Sequence, residues 1–215
     1  MRAVEAVDEP VGGESKGLST REKILERALI LFAERGFEAV SVRDICASIG
    51  VNHGLIKYYF GDKESLWKAA VSRMFERMWS TLDDDNIRRQ DLPPGERMAL
   101  WIRQWVHYCA HHPEHARLMA HECVAETSRL QWMVDTFVAP LHQEGVGRLE
   151  KLIELGHLPD VSPISLFYII SSAAQAPFML APEVDRIHGI DMFDEKRVSA
   201  HADALVALLL RQPTA

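Results

Sequence analysis

The segment after Gly50 holds side chains that suit contact with the phosphates of a polyanion. In a short helix, Val51, Ile56 and Phe60 can turn inward. The side chains left outward are His53, Leu55, Lys57, Tyr58 and Tyr59. Cations, hydroxyls and amides are the groups that contact phosphates and base edges in protein–DNA interfaces. Two adjacent tyrosines beside a lysine therefore favour nucleic-acid binding over an ordinary solvated surface.

Two further residues support this interpretation. Gly54 costs helix stability but allows a close approach of the backbone to DNA. Lys63 lies in the first turn of the next predicted helix, where the helix dipole disfavours a cation unless an anion shares the site. A DNA phosphate would be such an anion.

Helix caps define the elements that position these residues. Ser19 and Ser41 each precede an acidic residue by three positions, which is the spacing of a capping box. Glycines at positions 36 and 50 end the first two helices, and Asp62 caps a fourth helix that extends to about Leu82. The two short helices around Gly50 form a helix-turn-helix pattern, in which the second helix lies in the DNA major groove.

The rest of the chain is also helical in period, so the predicted fold class is all-α. Helices are predicted near residues 96–111, 114–126, 128–156, 163–180 and 194–211, and Pro140 should kink the third of these. Residues 83–95 and 182–191 are expected to be loops. The predicted organisation is a disordered tail (1–18), a three-helix helix-turn-helix domain (19–66) and a larger helical ligand-binding and dimerisation domain (67–215).

The stretch from Thr20 to Trp67 resembles the DNA-binding domain of TetR/AcrR-type transcriptional regulators. The matching pieces, in the expected order, are TREKIL (20–25), LFAERGF (31–37), SVRDI (41–45), GVN (50–52), YF (59–60) and DKESL (62–66). The resemblance implies a homodimer whose heads bind a palindromic DNA operator. It also implies a C-terminal pocket for a small-molecule effector. Repression is the more common mode in this family, and the aromatic content of the body favours a hydrophobic or planar effector.

The resemblance assigns contacts to individual head residues. Arg43 would meet DNA at the end of the second helix, and Lys63 would hold a phosphate. Lys57 departs from the family pattern, which has a tyrosine there that packs on the DNA backbone, and Tyr58 is the candidate for that role. The predicted DNA-binding residues are Arg43, Asn52, His53, Gly54, Lys57, Tyr58, Tyr59 and Lys63.

Large flat side chains and methionines recur at four-residue steps in the C-terminal part of the chain. Most such residues are core, but a ligand pocket in a helical bundle is lined by the same types. Glu122 is the candidate for a buried polar group in such a pocket, with an ordinary ion pair as the alternative. The candidate ligand-binding residues are Trp101, Trp105, Tyr108, Met119, Glu122, Trp132, Met133, Phe137 and Phe178.

Two C-terminal helices carry apolar stripes that two subunits could join into a four-helix bundle. An intramolecular core would give the same pattern, and the family resemblance favours the interface. The candidate interface residues are Ile164, Phe167, Ser171, Ala174, Val198, Ala202, Leu205 and Leu209.

Histidines 107, 111 and 115, with Glu114 beside them, offer an alternative function as a helical metal-binding sensor or enzyme. Pro113 interrupts their helical register, and no other ligand completes a tetrahedral site at a familiar spacing. Catalytic motifs such as a nucleophile elbow are absent from the sequence. We therefore expect no metal, no cofactor and no enzymatic activity. An adaptor that kept the fold but lost DNA binding is a further alternative, because Lys57 departs from the pattern.

Composition and charge indicate a globular cytoplasmic protein. Of 215 residues 47% are hydrophobic, and no apolar run reaches the roughly 18 residues that a membrane span needs. The acidic N-terminus is unlike a secretory signal, and three cysteines fit a reducing compartment. The net charge of −7 argues against a polyanion partner. However, residues 16–68 carry nine basic against seven acidic side chains, so a mildly basic head is joined to an acidic body.

Overall fold

A computed structural model describes residues 18–82 and 91–211 of the protein, and the described ranges are helical without a strand. The head contains α1 (Thr20–Arg35), α2 (Val42–Ile49), α3 (Gly54–Phe60) and the start of α4 (Lys63–Thr81). The body contains α5 (Pro94–His111), α6 (Pro113–Ala125), α7 (Ser128–Met133), the π-helical segment Val134–Val138, α8 (Ala139–Glu154), α9 (Pro163–Met179), α10 (Ala181–His188) and α11 (Glu195–Leu209). The all-α prediction is confirmed. Residues 1–17 of the predicted tail and 83–90 of the predicted loop lie outside the described residues.

The predicted caps of the head are present. Ser19 Oγ accepts a hydrogen bond from the Glu22 N–H at 3.3 Å, and Ser41 Oγ accepts one from the Asp44 N–H at 3.1 Å. Each acidic side chain in turn accepts a hydrogen bond from the serine N–H, which completes both capping boxes. Gly50 ends α2 with φ 69°, a left-handed conformation that a residue with a side chain rarely adopts. Local hydrogen bonds therefore fix the turn that leads into α3.

Helix α4 connects the head to the body. Its N-terminus is capped by Asp62, whose carboxylate accepts a bond from the Ser65 N–H at 2.7 Å. The helix passes through residue 66, the predicted domain boundary, without a break. Its first half packs on α1 and α3, and near its end the Phe75 ring stacks on Phe137 at 4.6 Å. At 1.5 Å per residue, its 19 residues span about 28 Å.

The body is arranged around α5, which packs against α9 and α11, while α8 packs on α9 and α6 packs on α1 of the head. The predicted helix at 128–156 is interrupted by a π-helical turn immediately before Pro140. Proline lacks the N–H of a continuous helix, and its ring crowds the carbonyl four residues earlier. A wider turn relieves that crowding, and it lies next to the proline at which the sequence predicts a kink.

One predicted loop contains a helix. Helix α10 occupies most of the 182–191 interval, so the loop prediction for that interval was wrong. Pro182 lies in the first turn of α10, where a missing N–H costs no hydrogen bond. Gly189 ends the helix in the left-handed conformation with φ 63°. Proline and glycine break a helix when they lie in its interior, but both also occur at helix ends. Here Pro182 lies at the start of α10 and Gly189 ends it.

Among the helices of residues 18–82 and 91–211, none is by itself long and apolar enough to cross a bilayer. The pair Pro163–Met179 and Ala181–His188 meets the length and composition criterion only when taken together, across a bend of 62°.

His115 is a buried histidine of the body core. Its Nδ1 shares a hydrogen bond of 2.9 Å with the Tyr108 hydroxyl, and its ring packs edge-on against Phe75 at 5.2 Å. Burial lowers the pKa of His115 from about 6.5 to about 4, with the charge of Glu114 opposing and that of Arg77 adding to the shift. The folded protein therefore holds His115 neutral at pH values where the unfolded chain protonates it.

We expect the free energy of unfolding to fall by about 2 kcal/mol between pH 7 and pH 5 through His115 alone. In this interval the unfolded chain binds a proton that the folded chain excludes until about pH 4, so acid favours unfolding. Urea denaturation at both pH values measures the effect. His115→Gln should reduce the pH dependence by that amount, whereas His188→Gln, at an exposed position on α10, should leave it unchanged. Equal pH dependence in wild type and His115→Gln would contradict the prediction.

Candidate DNA-binding surface and effector pocket

Helix α3 is short and is fixed to the head by its inner side chains. Ile56 is buried, and Leu55 is half-buried against the core rather than outward as expected. At the N-terminus of α3 the Asn52 side-chain oxygen accepts a bond from the Gly54 N–H at 2.8 Å. A Cβ at Gly54 would lie 3.2 Å from that oxygen, so glycine leaves room for this bond. This hydrogen bond fixes the turn before α3 relative to the first residue of the helix.

The other side chains of α3 are exposed as predicted. Tyr58 is 80% exposed and Tyr59 is 38% exposed, and their rings meet edge-to-face at 5.0 Å. Lys57 and His53 are exposed as well. Tyr58 therefore contributes little to the packing of the head, and it stays a candidate for contact with DNA.

Arg43 and Lys63 lie at the starts of the neighbouring helices. Arg43 is exposed in the first turn of α2, and Lys63 is the first residue of α4. The Lys63 ammonium lies 4.1 Å from the centre of the Phe37 ring. This cation–π contact gives the lysine a stabilising partner within the head, so its position at a helix N-terminus does not by itself require a phosphate.

A cavity of about 730 Å³ lies between the end of α4 and helices α5, α8 and α9. Its described lining is mainly apolar, and it includes the predicted ligand residues Trp101 and Trp105. The lining residues are Met78, Trp79, Leu82, Pro94, Arg97, Met98, Trp101, Trp105, Leu141, Glu144, Gly145, Arg148, Leu149, Lys151, Leu152, Leu155, Phe167, Ile170 and Ser171. The volume is in the range of sites for drug-sized molecules.

Polar groups of the cavity occur at a few positions. The Trp105 side chain is 8% exposed, and its indole N–H is fully buried without a hydrogen-bond partner among the described residues, so it offers no donor to the cavity. Among the lining residues that the structure describes, three are cationic and Glu144 is the one acid, which pairs with Arg148. The residues on the α8 side of the cavity are absent from the predicted ligand set. Positions 141, 145, 149 and 152, which are four, four and three residues apart and so share one helix face, are the signal that could have found them.

The other predicted ligand residues lie elsewhere. Tyr108, Met133 and Phe178 are buried in the core of the body, and Phe137 is stacked on α4. Trp132 meets the Trp67 ring at 5.7 Å, and Met119 is half-buried against the core. These side chains have the residue types of a pocket lining, but the neighbouring helices cover them. We therefore restrict the proposed effector contacts to residues that line the cavity.

Glu122 belongs to a joint between head and body rather than to the cavity. Its carboxylate lies 3.3 Å from Arg129 Nε and accepts a bond from the Thr127 hydroxyl at 3.1 Å. The Arg129 guanidinium lies 3.8 Å from the centre of the Phe37 ring, on the loop after α1. The ion-pair interpretation of Glu122 thus fits the geometry, because a buried carboxylate needs a cation beside it.

The predicted interface residues divide into three groups. Ala174, Val198, Ala202 and Leu205 are buried within the protomer, so they are removed from the proposed interface. Phe167 and Ser171 line the cavity, and Leu209 is half-buried. Ile164 is 53% exposed, and other exposed apolar side chains of α9 and α11 are Tyr168, Ile169 and Leu208. These four side chains remain candidates for contact with another copy of the chain.

The predicted metal cluster is divided by the fold. Pro113 begins α6, and the new helix direction takes His115 into the core against Tyr108. Glu114 pairs with Arg77 of α4. The 107–111–115 set with Glu114 therefore does not form one site.

The chain is similar to bacterial transcriptional regulators over most of its length. Residues 24–70 match the family described as bacterial regulatory proteins, tetR family, and residues 76–214 match the C-terminal region of YcdC-like protein. The regulator RutR of Escherichia coli (strain K12) is 25% identical over 185 residues, which cover 86% of each chain.

Solved structures share the fold. The ketosteroid transcriptional regulator KstR2 of Mycobacterium tuberculosis superposes with a TM-score of 0.70 at 20% identity, covering 92% of this chain and 98% of that one. FadR from Bacillus subtilis in complex with stearoyl-CoA has a TM-score of 0.64 at 18% identity, covering 86% and 95%. The head, the helical body and both family matches lead to one conclusion. The chain belongs to the TetR family of bacterial transcriptional regulators, which are not enzymes.

Proposed function

We propose that the protein is a dimeric repressor that a small apolar effector releases from a palindromic operator. Its two α3 helices would enter successive major grooves of the DNA in the cytoplasm. The observation that carries the proposal is the position of α4, which begins at Lys63 in the DNA-binding head and ends at Met78, Trp79 and Leu82 in the wall of the cavity. One rigid element thus has contacts at both sites.

The head supports operator binding. The exposed side chains of α3 and the cations at the starts of α2 and α4 are the types that hold phosphate oxygens, and the inner face of α3 is fixed by the core. Because the core already fixes the backbone of α3, little backbone conformational entropy is lost when this helix binds DNA.

The cavity supports an apolar effector with one polar end. Three tryptophans and five leucines are among the apolar residues of its wall. The cationic excess of the lining favours a carboxylate or another acidic group on the effector. One fold relative is named as a ketosteroid transcriptional regulator and another was solved in complex with stearoyl-CoA. A steroid ring system and a stearoyl chain are both apolar.

Helix α4 supplies the coupling between the two sites. An effector seated against Trp79 and Met78 contacts the end of a helix whose other end carries Lys63. If the effector binds more tightly to the conformation with widely set heads, it lowers operator affinity by that difference in binding free energy. The exposed face of α9 and α11 would hold the two subunits together, so that both heads move relative to one axis.

The test is release of operator DNA by an effector, with a variant of Arg97 as the probe of the cationic lining of the cavity. The operator is obtained by selecting bound fragments from the source genome. A fatty acid or a steroid carboxylate should then displace it in a titration. Arg97→Met should weaken the affinity for a carboxylate effector about tenfold, since it removes a cation from the cavity lining, and should leave operator affinity unchanged. Arg103→Met is the matched control, because it removes a cation of the same helix that does not line the cavity.

Two results would contradict the proposal. If neither a fatty acid nor a steroid carboxylate displaces the operator DNA, the effector is not an apolar acid. Equal effector affinity in Arg97→Met and Arg103→Met would argue against a carboxylate held by the cationic lining.

A further inference from the structure

The last turns of α5 and the start of α11 bring two histidines and a glutamate together outside the cavity. His107 and His111 are four residues apart on α5, and Glu195 is the first residue of α11. His107 Nδ1 lies 3.6 Å and His111 Nε2 lies 3.3 Å from the two carboxylate oxygens of Glu195. These three ligand atoms all lie within 4.8 Å of one another. Such spacings are close to those of ligand atoms around a single metal ion.

The His111 ring is oriented by a second hydrogen bond. Its Nδ1 lies 2.8 Å from the carbonyl oxygen of His107. A carbonyl only accepts, so Nδ1 carries the proton, and in the neutral ring Nε2 presents a lone pair towards Glu195. A lone pair and a carboxylate oxygen 3.3 Å apart repel each other unless a proton or a metal ion lies between them. Ligand histidines in metal sites are typically held by such a bond to a backbone carbonyl.

The two helices that carry these groups are fixed against each other. Val106 of α5 and Val198 of α11 are buried at their contact. Further along the same seam Arg103 pairs with Asp203 at 2.9 Å. The three ligand side chains therefore project from packed helices rather than from loops, which limits the reorganisation needed to bind an ion.

We propose that His107, His111 and Glu195 form a binding site for one divalent transition metal ion of the zinc, nickel or copper class. Two imidazoles and one carboxylate match the ligand preference of these ions, whereas calcium and magnesium need more oxygen ligands. The exposed side of the site leaves the remaining coordination positions to water. This proposal departs from the expectation of no metal, because Glu195, which is 84 residues from His111 in sequence, takes the place of His115 as the third ligand. A bound ion would fasten α11 to α5 and stabilise the folded chain.

Metal titration of the tag-free, chelator-stripped full chain tests the proposal. Isothermal calorimetry with zinc or nickel should give one ion per chain, and magnesium should give no binding. At a metal concentration about 100-fold above Kd, the melting temperature should rise by roughly 5–10 °C. His111→Ala and Glu195→Gln should each lower the affinity for the metal ion at least about tenfold. Loss of a residue that only supports a ligand already lowers metal affinity by that factor.

His188→Ala is the matched control, because it removes an exposed histidine that lies outside the cluster. It should leave both the stoichiometry and the affinity unchanged. Absence of zinc and nickel binding by the wild-type chain would overturn the proposal and leave an ordinary histidine–glutamate ion pair. Binding that survives in the His111→Ala and Glu195→Gln variants would overturn the assigned site.

Discussion

Replacing Lys57 and Tyr58 together by alanine is expected to lower operator affinity at least about 100-fold. Each exposed contact to the DNA backbone or bases is worth on the order of 1 kcal/mol or more, and a dimer loses each contact twice. Both side chains are exposed on α3, so the melting temperature should stay within about 2 °C of wild type. The measurement is fluorescence anisotropy with the selected operator at fixed salt.

Lys196→Ala is the control for loss of positive charge, because this lysine is exposed on α11 and far along the chain from the head. It should bind the operator like wild type. The wild-type complex should also lose about 10³-fold in affinity between 50 and 200 mM salt, as expected for several phosphate contacts. Unchanged affinity in the double variant would refute α3 as the recognition helix, and a flat salt profile would refute binding dominated by phosphate contacts. The adaptor interpretation would be revived if the wild-type chain selected no DNA fragment.

Replacing Arg129 by methionine is expected to destabilise the protein by about 3 kcal/mol or more. The Glu122 side chain is 4% exposed and the Arg129 side chain 11% exposed, so the variant leaves a carboxylate in the interior without its cation. The contact of Arg129 with the Phe37 ring is lost as well. The melting temperature should fall by roughly 6–12 °C in a calorimetric scan.

Arg103→Met is the matched control for Arg129. Arg103 pairs with Asp203, but both side chains are well exposed, and such pairs contribute about 1 kcal/mol or less. A second variant, Glu122→Met with Arg129→Met, should recover much of the lost stability, because no buried charge remains. If Arg129→Met and Arg103→Met destabilise the chain equally, the joint between head and body is not a buried ion pair.

The head could be predicted almost entirely from sequence because its signals are local. The caps at Ser19, Ser41 and Asp62 and the glycine at position 50 each act on residues within four positions. Such hydrogen bonds form whatever the rest of the chain does, so residue type and spacing suffice. The exposure of Tyr58 follows from the same local geometry, since α3 has an apolar side that the core must take.

The cavity could be predicted only in part. Trp101 and Trp105 line it, while Tyr108, one turn further along the same helix, is in the core. A sequence period gives the angle of a side chain around its own helix axis, and it contains no information on which helix lies opposite. Glu122 shows the same limit, because its cation comes from a different helix.

The sequence by itself determined the all-α class, the helix-turn-helix head and the residue types available to each site. The tertiary structure alone decided which apolar face of α9 and α11 is inward and which aromatic side chains surround a cavity. It also decided that Glu195 rather than His115 joins His107 and His111. Helix formation depends on hydrogen bonds within a few residues, whereas these three outcomes depend on the packing of helices that lie far apart in the chain.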